Sequence, residues 1–488
     1  MQNNSLASKI LRSSFWQYIA SWLDKIIGFA STIILARILT PDDFGIITAI
    51  TIVTGFFHVL STVGSERYII RESTYNTGSL NTAWTVNILM KCFSSICIFL
   101  LADPVSTFMQ DERLKLPFQL ISISPLILGF SNIGMVLHMK NFNYKPQFYI
   151  SFTSRLFGFI LKIILALYLR DYWAFVYSIL FENILFAVGS FLAHPYKPRL
   201  SLKNWKKQWS FSQWILFKSI FVFFQNRIDN ILLSRLFPLE ILGRFSVAKD
   251  IATLPGGQII TPIMSPIYVA LSKVHSSDIL FADKIYKSLC VIFLLAFPIS
   301  FGIFITSENL VQVLLGNKWE NASDLVMILS FILIPNMLST FLNQAFTALG
   351  NVKLIFFLDL IAGIITISIF VFLSNNLSLI QFSLLRVGLS FINSLIELII
   401  ISSLSSISIF KVLLLTIIPL ICSTSMVLFI YDIMPLFQDY SPLYKLIIQT
   451  ISGTIFYLIL STLFIYLFKK TNEYNFVNKI FFHNILNK

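Results

Sequence analysis

Arg155 and Lys162 stand seven residues apart in "SRLFGFILK", a stretch that is otherwise apolar or small. At helical spacing both cations point the same way, about 10 Å apart along the axis. No acidic residue sits three or four positions from either one in the chain. Two like charges on one face of an apolar helix suit an anion where water is scarce. Pairing with Glu182 in the following run, or reach of Arg155 towards a water interface, would explain the same pair without a ligand.

Other ionisable groups join this list because charge inside an apolar run is costly. Lys91 is one candidate for the same anion. Lys218, Gln225 and Asp229 share a face of one run, while Arg227 points about 180° from Lys218. Arg227 lies deeper, so it is the candidate for a central position, with an ion pair between helices as the competing role. Asp24 falls with Gln17, Ser21, Gly28 and Ser31 in a polar stripe about 80° wide, which suits a cavity wall or a close helix contact. Asp24 and Asp359 are candidates to bind a coupling proton or sodium ion; a salt bridge is the alternative for each. Arg386 and Glu397 share a face, whereas Lys249 and Asp250 point about 100° apart and need separate partners. The five histidines are scattered without ligand spacing, so no metal site and no cofactor is expected.

The elements that carry these charges are set by composition. With 56% hydrophobic residues and 12% charged ones, the chain is too apolar for a water-soluble globule. Its mean hydropathy is +0.79. Runs of roughly 20 apolar residues recur from end to end, the length that crosses a bilayer as a helix. They lack the short alternation of barrel strands, so the fold class is an all-α integral membrane protein. Fourteen spans are expected, near 15–39, 44–65, 80–102, 117–139, 148–169, 172–193, 211–236, 244–271, 286–306, 321–349, 352–373, 379–402, 411–431 and 446–468. The eighth holds three prolines and two glycines in "AKDIATLPGGQIITPIMSPIYVALS" and should be bent or broken.

Charge orients the spans. With the N-terminus inside, about 20 Lys and Arg fall on the inner side against about 8 outside. The densest inner segment is "HPYKPRLSLKNWKKQW". Both termini are therefore expected in the cytoplasm. The net charge of +13 is spread over short loops on one side of a membrane, which argues for topology and anionic lipid and against a nucleic-acid partner. The polar start and the long apolar run after it do not fit a cleavable signal. All four cysteines lie in expected spans, so no disulfide framework is expected.

One motif occurs twice. "ILARILTPDDFGI" near the start returns as "LLSRLFPLEILGR", with Arg37 eight residues before Gly45 and Arg235 eight residues before Gly243. Aligned without a gap, Trp16 falls on Trp214, Ser21 on Ser219 and Leu35 on Leu233. Six spans separate the copies, so both face the same way, and an axis along the membrane normal would relate two six-helix lobes. The expected organisation is an N-lobe at 1–202, a C-lobe at 203–405, and spans 13 and 14 with a tail at 406–488. In each corner the arginine suits a helix C-terminus, with a direct role in substrate passage as the alternative, and the glycine permits close approach.

Together with "ITPIMSPIYVALSK", these stretches resemble the polysaccharide-export branch of the multidrug/oligosaccharidyl-lipid/polysaccharide (MOP) flippase superfamily, the Wzx-type O-antigen and exopolysaccharide translocases. The resemblance covers the first twelve spans in organisation. It implies alternating access around a central cavity and an undecaprenyl-pyrophosphate-linked oligosaccharide as substrate, moved from the cytoplasmic to the periplasmic leaflet of a bacterial inner membrane. It also implies a polysaccharide polymerase and a chain-length regulator as partners, and makes Arg155, Lys162, Arg227, Lys218 and Lys91 candidates for the substrate site. A cation antiporter of the same architecture would need an acidic cavity. A membrane polymerase or glycosyltransferase would need a large outer loop or an exposed acidic pair.

Overall fold

The computed structural model describes residues 2–62, 65–72, 77–203, 205–373 and 377–468. These are helical almost throughout, with no strand among them. The helices are α1 (Gln2–Ile38), α2 (Pro41–Ser61), α3 (Ser65–Arg71), α4 (Thr77–Phe108), α5 (Lys115–Ile121), α6 (Ile123–Gly129), α7 (Met135–Lys140), α8 (Lys145–Leu169), α9 (Trp173–Ala193) and α10 (Trp205–Leu236). There follow α11 (Leu239–Pro255), α12 (Thr261–Ser272), α13 (Asp278–Leu314), α14 (Ser323–Leu329), α15 (Leu333–Ala348), α16 (Val352–Leu373), α17 (Leu379–Leu404), α18 (Ile409–Ile433) and α19 (Pro442–Leu467). Among the described residues, eleven helical segments are long and apolar enough to cross a membrane. The chain is a multi-pass membrane protein.

Three of the fourteen expected spans are not among the eleven, each for a visible reason. The fourth is split into α5, α6 and α7. The seventh, α10, carries Lys206, Arg227, Asp229 and Arg235 along its length. The eighth is interrupted, as its prolines and glycines suggest: α11 stops at Pro255, a wide π-helical turn covers Gly256–Ile260, and α12 resumes.

By packing, the chain forms two compact units, Met1–Gly243 and Arg244–Lys488. In the first, α8 lies between α1 and α9, while α4 packs on α2, α5 and α6. The repeat counts α10 as the first helix of the second copy, but α10 packs on α2, α3 and α4 and so falls in the first unit. In the second unit the 37-residue α13 is the central post, with α14, α15, α18 and α19 against it. Leu289, Phe293, Phe341, Phe346, Cys422 and Tyr457 belong to one buried core there, and the Tyr457 hydroxyl donates to the Leu294 carbonyl at 2.9 Å. The last two helices are thus built into that core.

The turn between α1 and α2 follows from "TPDD". Thr40 and Asp43 form a capping box: the Thr40 hydroxyl accepts from the Asp43 amide, and Asp43 accepts from the Thr40 amide at 2.9 Å. Pro41 takes the first helical position, where its missing N–H leaves nothing unsatisfied.

Candidate functional site

Inside the first unit the split fourth span has a local cause. Asn132 sits in "FSNIGM", where its side-chain amide donates to the carbonyls of His194 and Tyr196 at 2.9 and 2.8 Å. Its side-chain oxygen accepts from the Gly134 amide, and its own amide donates to the Ser190 hydroxyl. Bonds lost from the helix are thereby replaced, which membrane-depth backbone requires. Carbonyls at the break also accept from side chains of α4. Lys91 Nζ donates to the Leu128 carbonyl at 3.2 Å, and the Trp84 indole donates to the Ser131 carbonyl at 3.1 Å.

Leu128 and Ser131 form part of the wall of a cavity of about 660 Å³. Its charged lining is Asp24 from α1, Glu66 from α3, Lys91 from α4, Arg155 from α8 and Glu182 from α9, with His58 from α2. Asn87, Asn183, Ser151 and Ser154 add hydrogen-bonding groups, and Phe186 adds an aromatic face. Asp24 lies fourteen residues from the end of α1 at the corner, about 21 Å along a helix. The cavity therefore occupies the middle of the helices and the half away from the corner.

Arg155 is the cation of this wall with the more donors to offer a ligand. One of its terminal nitrogens is 3.5 Å from an Asp24 oxygen, and the two side chains are 42% and 38% exposed. That contact is long for a charge-assisted hydrogen bond and leaves most of the guanidinium donors to the cavity. Lys162 takes a different position. It is absent from the cavity wall, and its Nζ lies 5.2 Å from the centre of the Phe175 ring. Glu182 explains the separation. A Cβ on Gly158 would lie 3.0 Å from Glu182 Oε2, so the carboxylate rests over Gly158, between Arg155 one turn before it and Lys162 one turn after. The pair read from sequence as two like charges on one face is in fact interleaved with an acid from the next helix.

The remaining candidates are dispersed. Arg227 is exposed on α10 and does not line the cavity, and the Lys218 side chain lies outside the described part of the structure. Asp359 is on α16 in the second unit, so it does not join Asp24 in this site. Three lining residues, His58, Glu66 and Glu182, carried no substrate role in the sequence reading. His58 and Glu66 flank the end of an expected span, and Glu182 figured there only as a partner for Arg155 and Lys162.

At the corner, the two copies of the motif meet. A Cβ on Gly45 would lie 1.9 Å from the Leu239 carbonyl oxygen, and one on Gly243 would lie 2.1 Å from the Pro41 carbonyl oxygen. Arg37 is exposed in the last turn of α1. Arg235 caps a neighbouring helix, donating to the carbonyl of Phe108, the last residue of α4, at 3.0 Å and stacking its guanidinium 5.4 Å from that ring.

A split span, a charged cavity and a repeated glycine corner form a combination that can be compared with known proteins. Residues 34–324, more than half of the chain, match the family model described as "Polysaccharide biosynthesis protein". The chain belongs to that family. It is 27% identical over 320 residues to an uncharacterized membrane protein in the cps region of Klebsiella pneumoniae, covering 64% of this chain and 66% of that one. It is 22% identical to the lipopolysaccharide biosynthesis protein WzxC of Escherichia coli K12, covering 67% of each. With the succinoglycan biosynthesis transport protein ExoT of Rhizobium meliloti it shares 21% identity over 65% of this chain and 64% of the other. The matched region spans about two thirds of these relatives' length. In fold the chain is similar to lipid II flippase MurJ in an inward closed conformation, with a TM-score of 0.71 at 15% identity over 92% of this chain and 98% of the other. A multidrug resistance MATE family transporter of the MOP superfamily follows at 0.59 and 9%, over 77% and 92%. The chain thus shares the fold of these two solved structures.

Proposed function

We propose that this protein is a flippase for an oligosaccharide carried on undecaprenyl pyrophosphate, moving it from the cytoplasmic to the periplasmic leaflet of a bacterial inner membrane. The observation that carries the reading is Arg155: a guanidinium midway along a membrane-spanning helix, 42% exposed and turned into a polar cavity. A guanidinium with spare donors facing a cavity matches a diphosphate in charge and geometry. Lys91 supplies a second cation in the same wall. The polyprenyl chain has no need of a cavity and stays in lipid. Relatives named for lipopolysaccharide biosynthesis and for succinoglycan transport support the cargo class.

The mechanism is alternating access, with the lobes starting at the two corner copies and both termini in the cytoplasm. In this mechanism the cavity fills from the cytoplasmic side while the glycine crossing holds the corner end together. Separation of the corners then exposes the head group to the periplasm. No bond is made or broken, so the direction of transport comes from unequal binding in the two states or from consumption of the product, for which a polymerase with its chain-length regulator is the natural partner. Arg155 and Lys91 in the wall offer a diphosphate a seat for which an antiporter of cationic cargo has no use.

The test is restoration of surface polysaccharide in a strain lacking this protein. Arg155→Ala and Lys91→Ala should each fail to restore it at normal protein levels. Full restoration by both variants would remove the diphosphate seat and the reading with it.

A further inference from the structure

The cavity wall is not simply cationic. Three carboxylates, Asp24, Glu66 and Glu182, come from three separate helices, against two basic groups, Lys91 and Arg155. The cations are also partly engaged, Lys91 with the Leu128 carbonyl and Arg155 with Asp24. The uncharged lining from Asn87, Asn183, Ser151 and Ser154 offers hydrogen bonds to hydroxyl-bearing ligands, and Phe186 offers a face on which a sugar ring can rest. Once a diphosphate has taken the two cations, Asp24 loses the guanidinium beside it, and the glycan meets an acceptor-rich wall that holds three carboxylates.

We propose that this cavity selects its glycan by charge: sugars bearing hydroxyls or a protonated amino group are accepted, and sugars bearing a carboxylate are rejected. The inference rests on the flippase reading above and adds the substrate class to it. The reason is repulsion at short range. A uronate in a space of about 660 Å³ lies close to at least one of three carboxylates, and the surrounding membrane protein screens such contacts poorly. A hydroxyl accepts no such penalty, because it donates to the same carboxylates. A protonated amine gains more, through charge-assisted bonds.

The experiment uses the full chain in proteoliposomes loaded with three undecaprenyl-diphosphate disaccharides of equal length, ending in glucose, glucosamine or glucuronic acid. Transfer is read by accessibility of the sugar to a membrane-impermeant reagent. The glucose and glucosamine lipids should cross, and the glucuronate lipid should cross at least about tenfold more slowly, the factor expected for one poorly screened like-charge contact. In Glu66→Gln/Glu182→Gln the gap between glucose and glucuronate should shrink by a similar factor. Equal rates for all three lipids in the unaltered protein, or a faster glucuronate lipid, would overturn charge selection and leave the flippase reading standing. Failure of all three to cross faster than in protein-free vesicles would overturn the flippase reading itself.

Discussion

Gly45 and Gly243 occupy equivalent places in the two copies of one motif, 198 positions apart, and they pack against each other. A Cβ on Gly243 would lie 2.6 Å from the backbone nitrogen of Gly45. Both obstacles are backbone atoms, so neither can swing aside as a side chain would. The repeated glycine therefore serves a crossing between the two copies as well as the turn within each.

Alanine at either position should pry this crossing apart. Gly45→Ala and Gly243→Ala are each expected to cost about 1–3 kcal/mol, the usual range for overpacking a tight contact. Thermal unfolding in detergent checks this, with Gly363→Ala as a control because a Cβ there meets nothing within 4 Å. Equal melting temperatures in all three would refute the crossing.

Arg155 and Asp24 should separate stability from function. An ion pair this long and this exposed contributes about 0–1 kcal/mol to folding. Arg155→Ala should therefore melt near the parent temperature while abolishing polysaccharide export. A variant that loses both together would place Arg155 in the scaffold.

Gly158 tests the seat of Glu182. Its Cβ position lies 3.0 Å from both Cβ and Oε2 of Glu182. Gly158→Ala should displace that carboxylate from between Arg155 and Lys162 and reduce export several-fold. The shorter acid in Gly158→Ala/Glu182→Asp should recover part of the loss. No recovery would show that the methyl group acts on something other than the carboxylate.

The loops at the corner end predict opposite effects of acid. Burial works to raise the Asp111 carboxyl, but hydrogen bonds from the Arg113 side chain and amide outweigh it and hold Asp111 below the usual range. Its contribution is complete above the unfolded value of about 4 and is lost as pH falls through the folded one. Asp171 is shifted upward, first by burial and then by nearby Asp43. Its neutral form favours the fold below about pH 4, and that advantage is lost as pH rises through the folded value. Melting curves from pH 3 to 8 should show Asp111→Asn destabilised at neutral pH and Asp171→Asn stabilised there, with both differences closing at the acid end. An Asp171→Asn protein less stable than its parent at pH 7 would reverse the assignment.

Much of this fold was legible because lipid is a strict solvent. Helices are the economical way to hide backbone in hydrocarbon, so long apolar runs report them directly, and the prolines and glycines around Pro255 reported the interruption between α11 and α12. The split at Asn132 was not legible. A serine, an asparagine and a glycine occur in many intact spans, and the break holds only because the His194 and Tyr196 carbonyls arrive from sixty residues away.

The site divides in the same manner. Sequence alone determined that Arg155, Lys162, Lys91 and Asp24 stand in apolar helices, since charge in such runs is costly enough to be conspicuous. It also determined the paired glycines, whose spacing repeats. Only the tertiary structure decided which charges share a cavity, because that depends on the rotation of each helix against its neighbours. Glu182 lies on another helix and settles between Arg155 and Lys162, so one cation faces the cavity and the other turns away.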